Sequence, residues 1–463
     1  MKKILLCYFA PRSLRHYTPL DLGYSAAALK EKRDFEVEIV ELSGGRGKKG
    51  DYFIDEDFSL IEYHKPQAVF FFLDNVLWSG IHALGRAKKI AQKMREKLPD
   101  IFIGFQSYKI SKEEEKELFE SGLAEAIVGG EVSFQELGKI LKKEKVPGVS
   151  FGDSDPKGAD KKKLNDSDSA SLDCLPSPYL SGIFDNILAK RQRDSRGEFM
   201  AFIYSMFGCP YRCYYCFRSV KHDRLRFFSV ERFYDEIEYL VDNFNIKNFF
   251  VLDDSFLSIV PERKSEFISE FKRRKEKNPR LKKIFLYVMV RPELIDEESL
   301  KFLKSINVVC AQIGLQTINP DLQKYIGRGA EAEKFKEIAD WFHSSNIKLH
   351  LDVILGLPDD TVDYFRESLD YALALKPFSV QVKQLYLNPG TLFYNNREEY
   401  GIKCEEKGDM DTPFVIEARG INEKYIQETH DFTMKRIKEH PEIKWKLLTS
   451  LGRYLSDDYF SFN

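Results

Sequence analysis

Cysteine is scarce in this chain, 7 residues in 463. Seven unevenly spaced thiols exclude a disulfide scaffold and fit a reducing compartment. Charge of one sign is lacking too: the formal net charge is −2 although 31% of residues are charged. No overall field draws in nucleic acid or an anionic membrane. The basic triplets at residues 161–163 and 273–275 read as a linker and a solvated helix face. No apolar run approaches bilayer length. The short one after Met1-Lys2-Lys3 ends at Phe9 and Pro11 with no small-residue cleavage site, so it reads as a first β-strand rather than a signal peptide. We therefore expect a cytoplasmic protein with neither membrane nor nucleic acid as partner. What the chain has is 43% hydrophobic residues, enough for cores in two or three domains.

Against that scarcity, three of the cysteines fall within eight residues. Phe207 to Arg218 reads F-G-C-P-Y-R-C-Y-Y-C-F-R, placing Cys209, Cys213 and Cys216 in a C-x-x-x-C-x-x-C spacing. Zinc is the lesser reading, because Cys7, Cys174, Cys310 and Cys404 are scattered singly and supply no fourth ligand cluster. Three thiolates on a short loop can instead hold three irons of a [4Fe–4S] cube and leave the fourth open to a small chelating molecule.

With Tyr215 before the last cysteine, this stretch resembles the signature of the radical S-adenosylmethionine (SAM) superfamily. The resemblance implies that the amino and carboxylate groups of SAM chelate the open iron. One electron from the cluster then cleaves a C–S bond to give a 5′-deoxyadenosyl radical that abstracts hydrogen from carbon. A one-electron reductant such as flavodoxin or ferredoxin is the implied partner, with a small-molecule or peptide substrate.

The first 150 residues alternate β and α patterns. Strands are expected at residues 3–9, 36–42, 68–73, 101–105 and 126–128, and helices at 22–31, 82–97 and 112–121. That alternation predicts a doubly wound, Rossmann- or flavodoxin-like parallel sheet whose ligands sit beyond the carboxyl ends of the strands. The segments there read P-L-D-L-G-Y-S-A-A-A-L-K, L-D-N-V-L-W-S-G, I-G-F-Q-S and V-G-G-E. In order and spacing they resemble the cobalamin (B12)-binding domain that precedes the radical core in one branch of the superfamily. Leu22, Gly23, Trp78, Gly104, Gly129, Gly130 and Glu131 are then the implied cofactor contacts, with Trp78 near the lower face of the corrin. Glycine lets backbone approach a bulky flat ligand closely. Two departures stand out. No D-x-H-x-x-G signature supplies an axial histidine, and Gly104-Phe105 replaces a paired glycine. The alternative is a flavodoxin-like domain that has lost its ligand.

Residues 153–173 are rich in Asp, Ser, Lys and Gly and read as a solvated linker, followed by an extended proline strap at 175–179. From residue 200 six β/α units are expected, with strands at 201–206, 249–252, 284–289, 308–314, 348–355 and 379–386. Six are too few to close an eight-stranded barrel, so an open partial (β/α)6 barrel is predicted, its active face at the carboxyl ends of the strands. The expected division is 1–150 B12-binding-like, 151–198 linker and strap, 199–395 partial barrel, and 396–463 a small C-terminal cap segment.

The strand ends of the barrel carry the remaining candidates. Asp253-Asp254 follows the second strand, where like charges repel unless a cation or a hydrogen-bond donor separates them. The resemblance places SAM's amino group there, and a helix cap is the alternative for Asp254 or Ser255. Arg291 follows the third strand and suits a carboxylate, or a surface ion pair. Gln312 and Gln316 suit ribose hydroxyls. Asp352 is an acid in an apolar strand and needs a partner. G-L-P-D-D-T resembles the family segment that packs on adenine, and the P-G-T turn at 389–391 reads as structural. The whole reads as a cobalamin-linked radical SAM enzyme, with C-methylation the commonest outcome in its branch. One SAM would re-methylate cobalt and a second would feed the radical. Other radical rearrangements and a non-catalytic cofactor carrier are the alternatives. Arg218 stands where coproporphyrinogen oxidases carry a further cysteine. No second three-cysteine set supports methylthiolation, and the cysteines after Cys310 are too few for an auxiliary cluster.

Overall fold

The computed structural model describes residues 2–10, 18–32, 34–43, 54–73, 84–107, 110–129, 136–146, 148–152, 171–194, 199–218, 225–329, 332–405 and 413–456. The chain divides into two compact units, the first Met1–Gly197 and the second beginning at Glu198. Trp78, Gly130 and Glu131 lie outside the described residues, as does most of the linker.

In the first unit, β1 (Lys2–Ala10), β2 (Phe35–Ser43), β3 (Ala68–Phe72), β4 (Phe102–Gln106), β5 (Ala126–Val128) and β6 (Val149–Ser150) form a sheet in the order β2-β1-β3-β4-β5-β6. All pairs are parallel except β5 with β6. The helices α1 (Leu20–Glu31), α2 (Ile54–Tyr63), α3 (Leu84–Lys97), α4 (Lys112–Glu120) and the short α5 (Leu137–Ile140) connect them. Strand order reverses between β1 and β3, which is where a doubly wound sheet opens a crevice. The inner strands β1 and β3 are apolar and buried along most of their length, as a parallel sheet covered on both faces requires, while the edge strand β2 carries Glu36, Glu38 and Glu41. One face packs Leu5, Cys7, Phe71 and Phe105 against Ala87, Ile90 and Met94 of α3.

The proline strap belongs to this unit. Tyr179 and Phe184 are fully buried, their ring centres 5.7 Å apart. The helix that follows, α6 (Asp185–Asp194), is pinned by Arg191, which pairs with Glu41 of β2; Glu41 also accepts from Tyr8 Oη at 2.6 Å. Of the segment expected as linker and strap, residues 171–194 are described: Ser171 and Asp173 at the end of the expected solvated stretch are exposed, and Tyr179, Phe184 and Leu188 beyond it are buried.

The second unit is a curved sheet of eight strands among the described residues, ordered β18-β17-β14-β13-β12-β11-β10-β7. The six expected strands are β7 (Met200–Ile203), β10 (Asn248–Val251), β11 (Phe285–Val290), β12 (Val308–Gln316), β13 (Lys348–Leu355) and β14 (Ser379–Gln384), parallel throughout. Helices α7 (Val230–Phe244), α8 (Pro261–Lys277), α9 (Glu297–Ser305), α10 (Pro320–Tyr325), α11 (Ala332–Ser345), α12 (Val362–Ala374) and α13 (Leu392–Asn395) follow them. Their starts are chemically marked: Ser229, Asp296, Asn319, Thr361 and Thr391 each accept a backbone N–H of the first turn.

The partial barrel is longer than six units. After the two-stranded β15 (Lys403–Cys404) and β16 (Val415–Glu417) and the helix α14 (Glu423–Glu439), the chain adds β17 (Lys444–Thr449) parallel to β14, then β18 (Gly452–Leu455) antiparallel to it. The C-terminal segment therefore supplies part of the barrel wall. Its lysines hid the strand, because K-W-K-L-L-T alternates polar and apolar residues to serve two different faces.

Candidate cofactor site

The site starts where β7 ends. Ser205 leads into β8 (Met206–Phe207), which pairs with β9 (Arg226–Phe227), and Gly208 turns the chain at φ +104, a conformation that favours glycine. Asp253, just past β10, fixes this exit. Its carboxylate accepts Ser205 N at 2.8 Å and Met206 N at 3.1 Å, and it also bonds Ser205 Oγ. It is fully buried, and that burial pushes its carboxyl up to about 7 against the pull of these donors. The next residue, Asp254, pairs with Arg218 at 2.9 Å. The repulsion expected between adjacent carboxylates is relieved inside the protein: one acid holds the strand exit, the other holds the residue two places beyond Cys216.

The cysteine loop is gripped from behind. Tyr214 N donates to Ile326 O at 3.2 Å, and Tyr214 O accepts from Phe393 N at 3.2 Å. At Gly327 (φ +76) a Cβ would stand 3.2 Å from Arg212 O, so the loop I-G-R-G closes directly over cluster-loop backbone. Tyr215 packs against the apolar group of Ile326, Ile354, Leu357 and Leu385. Burial raises its phenol above the ordinary value. The three thiols lie near enough to act on one another: burial pushes Cys209 up to about 12, and Asp254, Cys216 and Cys213 act in the same direction. Among the described residues no three His, Cys, Asp or Glu side chains converge as they would around a single metal ion. Three thiols on one short loop match, in ligand type and number, a multi-iron cube that keeps one corner open.

Arg291 follows β11, as expected, but its side-on fork is taken by the chain itself. Nε reaches Glu293 Oε2 at 3.1 Å and Nη2 reaches Oε1 at 2.8 Å, while Nη1 stands 3.1 Å from Cys213 Sγ. Glu293 also accepts Gly329 N at 3.2 Å.

Two strands on, a polar row crosses the barrel wall. Gln312 Nε2 donates to Asp352 Oδ2 at 2.7 Å, Gln381 Nε2 to Oδ1 at 2.9 Å, and His350 Nε2 lies 3.1 Å from the same oxygen. Gln381 pairs in register with Lys446 of β17, which extends the row. Burial alone would raise the Asp352 carboxyl, yet bonds from His350 and Gln312 and the charges of His350 and Lys446 hold it below the usual range. Burial pulls the Lys446 ammonium down to about 8 against the opposing charge of Asp352. Gln316 sits at φ +64 beyond a register shift, its amide folded against Gly314. Arg328 donates to Gly314 O and reaches Cys213, so the cysteine loop and the Gln312–Asp352 row meet through one guanidinium. Ser379, His350 and Asp352 also form a hydrogen-bonded series of the kind found in nucleophile triads. Ser379 is 1% exposed and opens β14 at its amino end, so its hydroxyl serves as a buried partner that orients His350.

The N-terminal candidates fare differently. A Cβ on Gly23 would meet the Phe184 ring at 2.2 Å and Pro178 at 2.8 Å, and one on Gly104 would meet the Phe70 ring at 2.4 Å. The room beside both is taken by the protein's own side chains, and Leu22 is buried on α1. Among the described residues, nothing comes nearer to a Cβ on Gly129 than Gly148 O at 3.8 Å.

Sequence reading did not single out Glu293, Arg328 or Lys446, and it read Arg218 only as a missing cysteine. The one local signal was an arginine between two glycines at 327–329, a cation on backbone free to approach closely.

An open barrel wall whose first strand end carries three thiols on one loop defines the radical SAM class of core. The chain carries a radical SAM domain: residues 203–372 match the model of the Radical SAM superfamily. Among curated proteins it is 27% identical over 197 residues to the 2-(S-pantetheinyl)-carbapenam-3-carboxylate methyltransferase of Streptantibioticus cattleyicolor, covering 42% of this chain and 28% of that one. It is 26% identical over 291 residues to the cobalamin-dependent radical SAM methyltransferase TokK of Streptomyces tokunonensis, covering 60% and 41%. The chain thus spans less than half the length of these relatives. Its fold is that of the solved radical SAM methyltransferase TsrM from Kitasatospora setae, described with cobalamin and a [4Fe–4S] cluster bound. That match has a TM-score of 0.68 at 20% identity and covers 88% of this chain and 78% of that one.

Proposed function

We propose that this protein is a cobalamin-linked radical SAM enzyme that methylates an unactivated carbon of a small-molecule or peptide substrate, drawing electrons from a one-electron carrier. The observation that carries the reading is the continuous chain of contacts from Cys213 through Arg328 and Gly314 to the Gln312–Asp352 row. It links a three-thiol loop at the strand ends to a polar row midway along the same barrel wall, groups suited to hydroxyls. When bound, a [4Fe–4S] cube with an open iron supplies one-electron reduction of a chelated sulfonium, and a corrin supplies a transferable methyl.

The protein's own work is holding and shelter. Cys209, Cys213 and Cys216 would hold the cube. Asp253 holds the strand exit from which their loop departs. Gln312 and Asp352, already oriented by His350 and Gln381, would accept and donate to ribose hydroxyls, and the apolar group around Tyr215 and Leu357 offers a dry wall for a flat base. Gly129, just past β5 and uncrowded by any described side chain, would let a corrin approach backbone.

The test is anaerobic assembly of the protein with iron, sulfide and cobalamin, followed by SAM and a reductant. We expect corrin absorbance near one per chain and 5′-deoxyadenosine that depends on reductant. With substrate, S-adenosylhomocysteine and methylated product should appear in equal amounts. Cluster formation without any 5′-deoxyadenosine would leave a cofactor carrier instead. A colourless protein that still cleaves SAM would remove cobalamin from the reading.

A further inference from the structure

The three cysteines are not equivalent. Cys216 has Arg218 near it, but Cys213 receives positive charge from two sides: Arg291 Nη1 lies 3.1 Å from its sulfur, and Arg328 reaches it from the I-G-R-G loop. Arg291 has little freedom to do anything else. Its guanidinium carbon lies 3.8 Å from the centre of the Tyr211 ring, within the cysteine loop itself. Glu293 occupies its side-on fork with two bonds, and the residue is 6% exposed. A two-pronged grip on a cofactor carboxylate needs that same fork.

An iron–sulfur cluster gains negative charge when it is reduced, and N–H groups directed at its sulfurs favour the reduced form. A buried cation a hydrogen bond away from one thiolate does so strongly, because little solvent screens it. We infer that Arg291 and Arg328 set the reduction potential of the cluster through Cys213, with Arg291 a positioning residue bolted by Glu293 and Tyr211 and not the grip on the cofactor's carboxylate. Glu293 then acts as the counterweight: its negative charge offsets part of the guanidinium's effect while fixing its geometry. This inference rests on the radical SAM reading of the site.

The experiment is a potentiometric titration of the assembled cluster, followed by EPR, in the full chain without SAM. The set is wild type, Arg291→Met, Arg291→Lys, Arg328→Met and Glu293→Gln, with SAM affinity measured on each oxidised protein. Arg291→Met should lower the midpoint so that, poised at the wild-type midpoint, its ratio of reduced to oxidised cluster falls about tenfold, equal to about 59 mV for one electron. Arg328→Met should fall in the same direction, and Arg291→Lys should lie between. Glu293→Gln should move the midpoint upward, a sign that mere loss of packing does not give. SAM affinity should change less than about twofold in Arg291→Met. An unchanged midpoint in Arg291→Met, or a large loss of SAM affinity with the midpoint unmoved, overturns the inference and returns Arg291 to the cofactor's carboxylate. Should Arg291→Met fail to take up iron, Arg291→Lys and Glu293→Gln decide alone, since shifts of one sign in both would refute it. Failure of the wild type to assemble any cluster would instead remove the radical SAM reading.

Discussion

In the barrel, residues with charge or hydrogen-bonding power hold one another: Asp253 with Ser205, Asp254 with Arg218 and Arg291 with Glu293 and Cys213 past the strand ends, Asp352 with Gln312 and His350 midway along the wall. In the N-terminal unit, the described candidates are the buried Leu22 and three glycines, and apolar rings fill the space beside two of the glycines. The difference teaches how far each residue type can be read. A buried carboxylate or thiolate must find a partner, so its presence announces chemistry or a built network. A glycine announces only that something comes close, and the neighbour can as well be Phe70 as a corrin.

The sharpest break would come from the cysteines. Replacing any one of Cys209, Cys213 or Cys216 with Ala should abolish the cluster's EPR signal and reduce 5′-deoxyadenosine formation to background. Cys310→Ala, which alters a buried thiol on β12, should leave both intact. Retention of the cluster in all three motif variants would mean that the barrel's polar network serves stability alone.

Asp253 tests whether that network also holds the fold. Asp253→Ala leaves the buried N–H groups of Ser205 and Met206 without acceptors, at about 1–3 kcal/mol for each. Asp253→Asn keeps an acceptor and should cost less. The pH dependence gives the sign. The folded carboxyl is raised to about 7 from 3.8, so the folded protein keeps a proton that the unfolded chain loses. Its contribution to stability is full below about 4 and declines as pH rises to about 7. Denaturant titrations across that window should show the wild type losing ground relative to Asp253→Asn, and parallel curves would show that the carboxylate does not carry the shift.

Gly104 sharpens the other side of the comparison. Gly104→Ala drives a Cβ into the Phe70 ring and should cost about 1–3 kcal/mol. Phe70→Leu should relieve most of that in the double variant, because the two changes share one space. If stability instead stays level while bound cobalamin falls, the glycine serves the ligand, and the N-terminal sheet is as chemically committed as the barrel.

Legibility in the sequence follows the same division. The spacing of the cysteines is local, so the loop could be read directly, and the alternation of strands and helices exposed both parallel sheets. Arg328 and Glu293 act on the cysteine loop across more than 75 residues of sequence, and only the closing of the barrel brings them to it. β17 escaped notice because Lys446 is an inward polar residue whose partner row lies on β13 and β14. A lysine in an apolar strand looks like a break until the buried acid near it is known.

The smallest effect is expected where a charge pair faces outward. Arg419 and Asp359 pair at 2.6 Å, but both are nearly half exposed, at 44% and 46%. Such pairs contribute about 0.2–1 kcal/mol, less in salt. Arg419→Ala should therefore lower stability by no more than that, with the loss shrinking further at high ionic strength. The backbone bond from Asp359 N to Arg419 O survives the substitution, so the G-L-P-D-D-T segment keeps its place and SAM affinity should change less than about twofold. A larger loss of SAM affinity would mean that the cofactor wall is held by its solvent-facing charges as well as by its buried ones. The contrast would then lie between strand ends and loops, not between the two sheets.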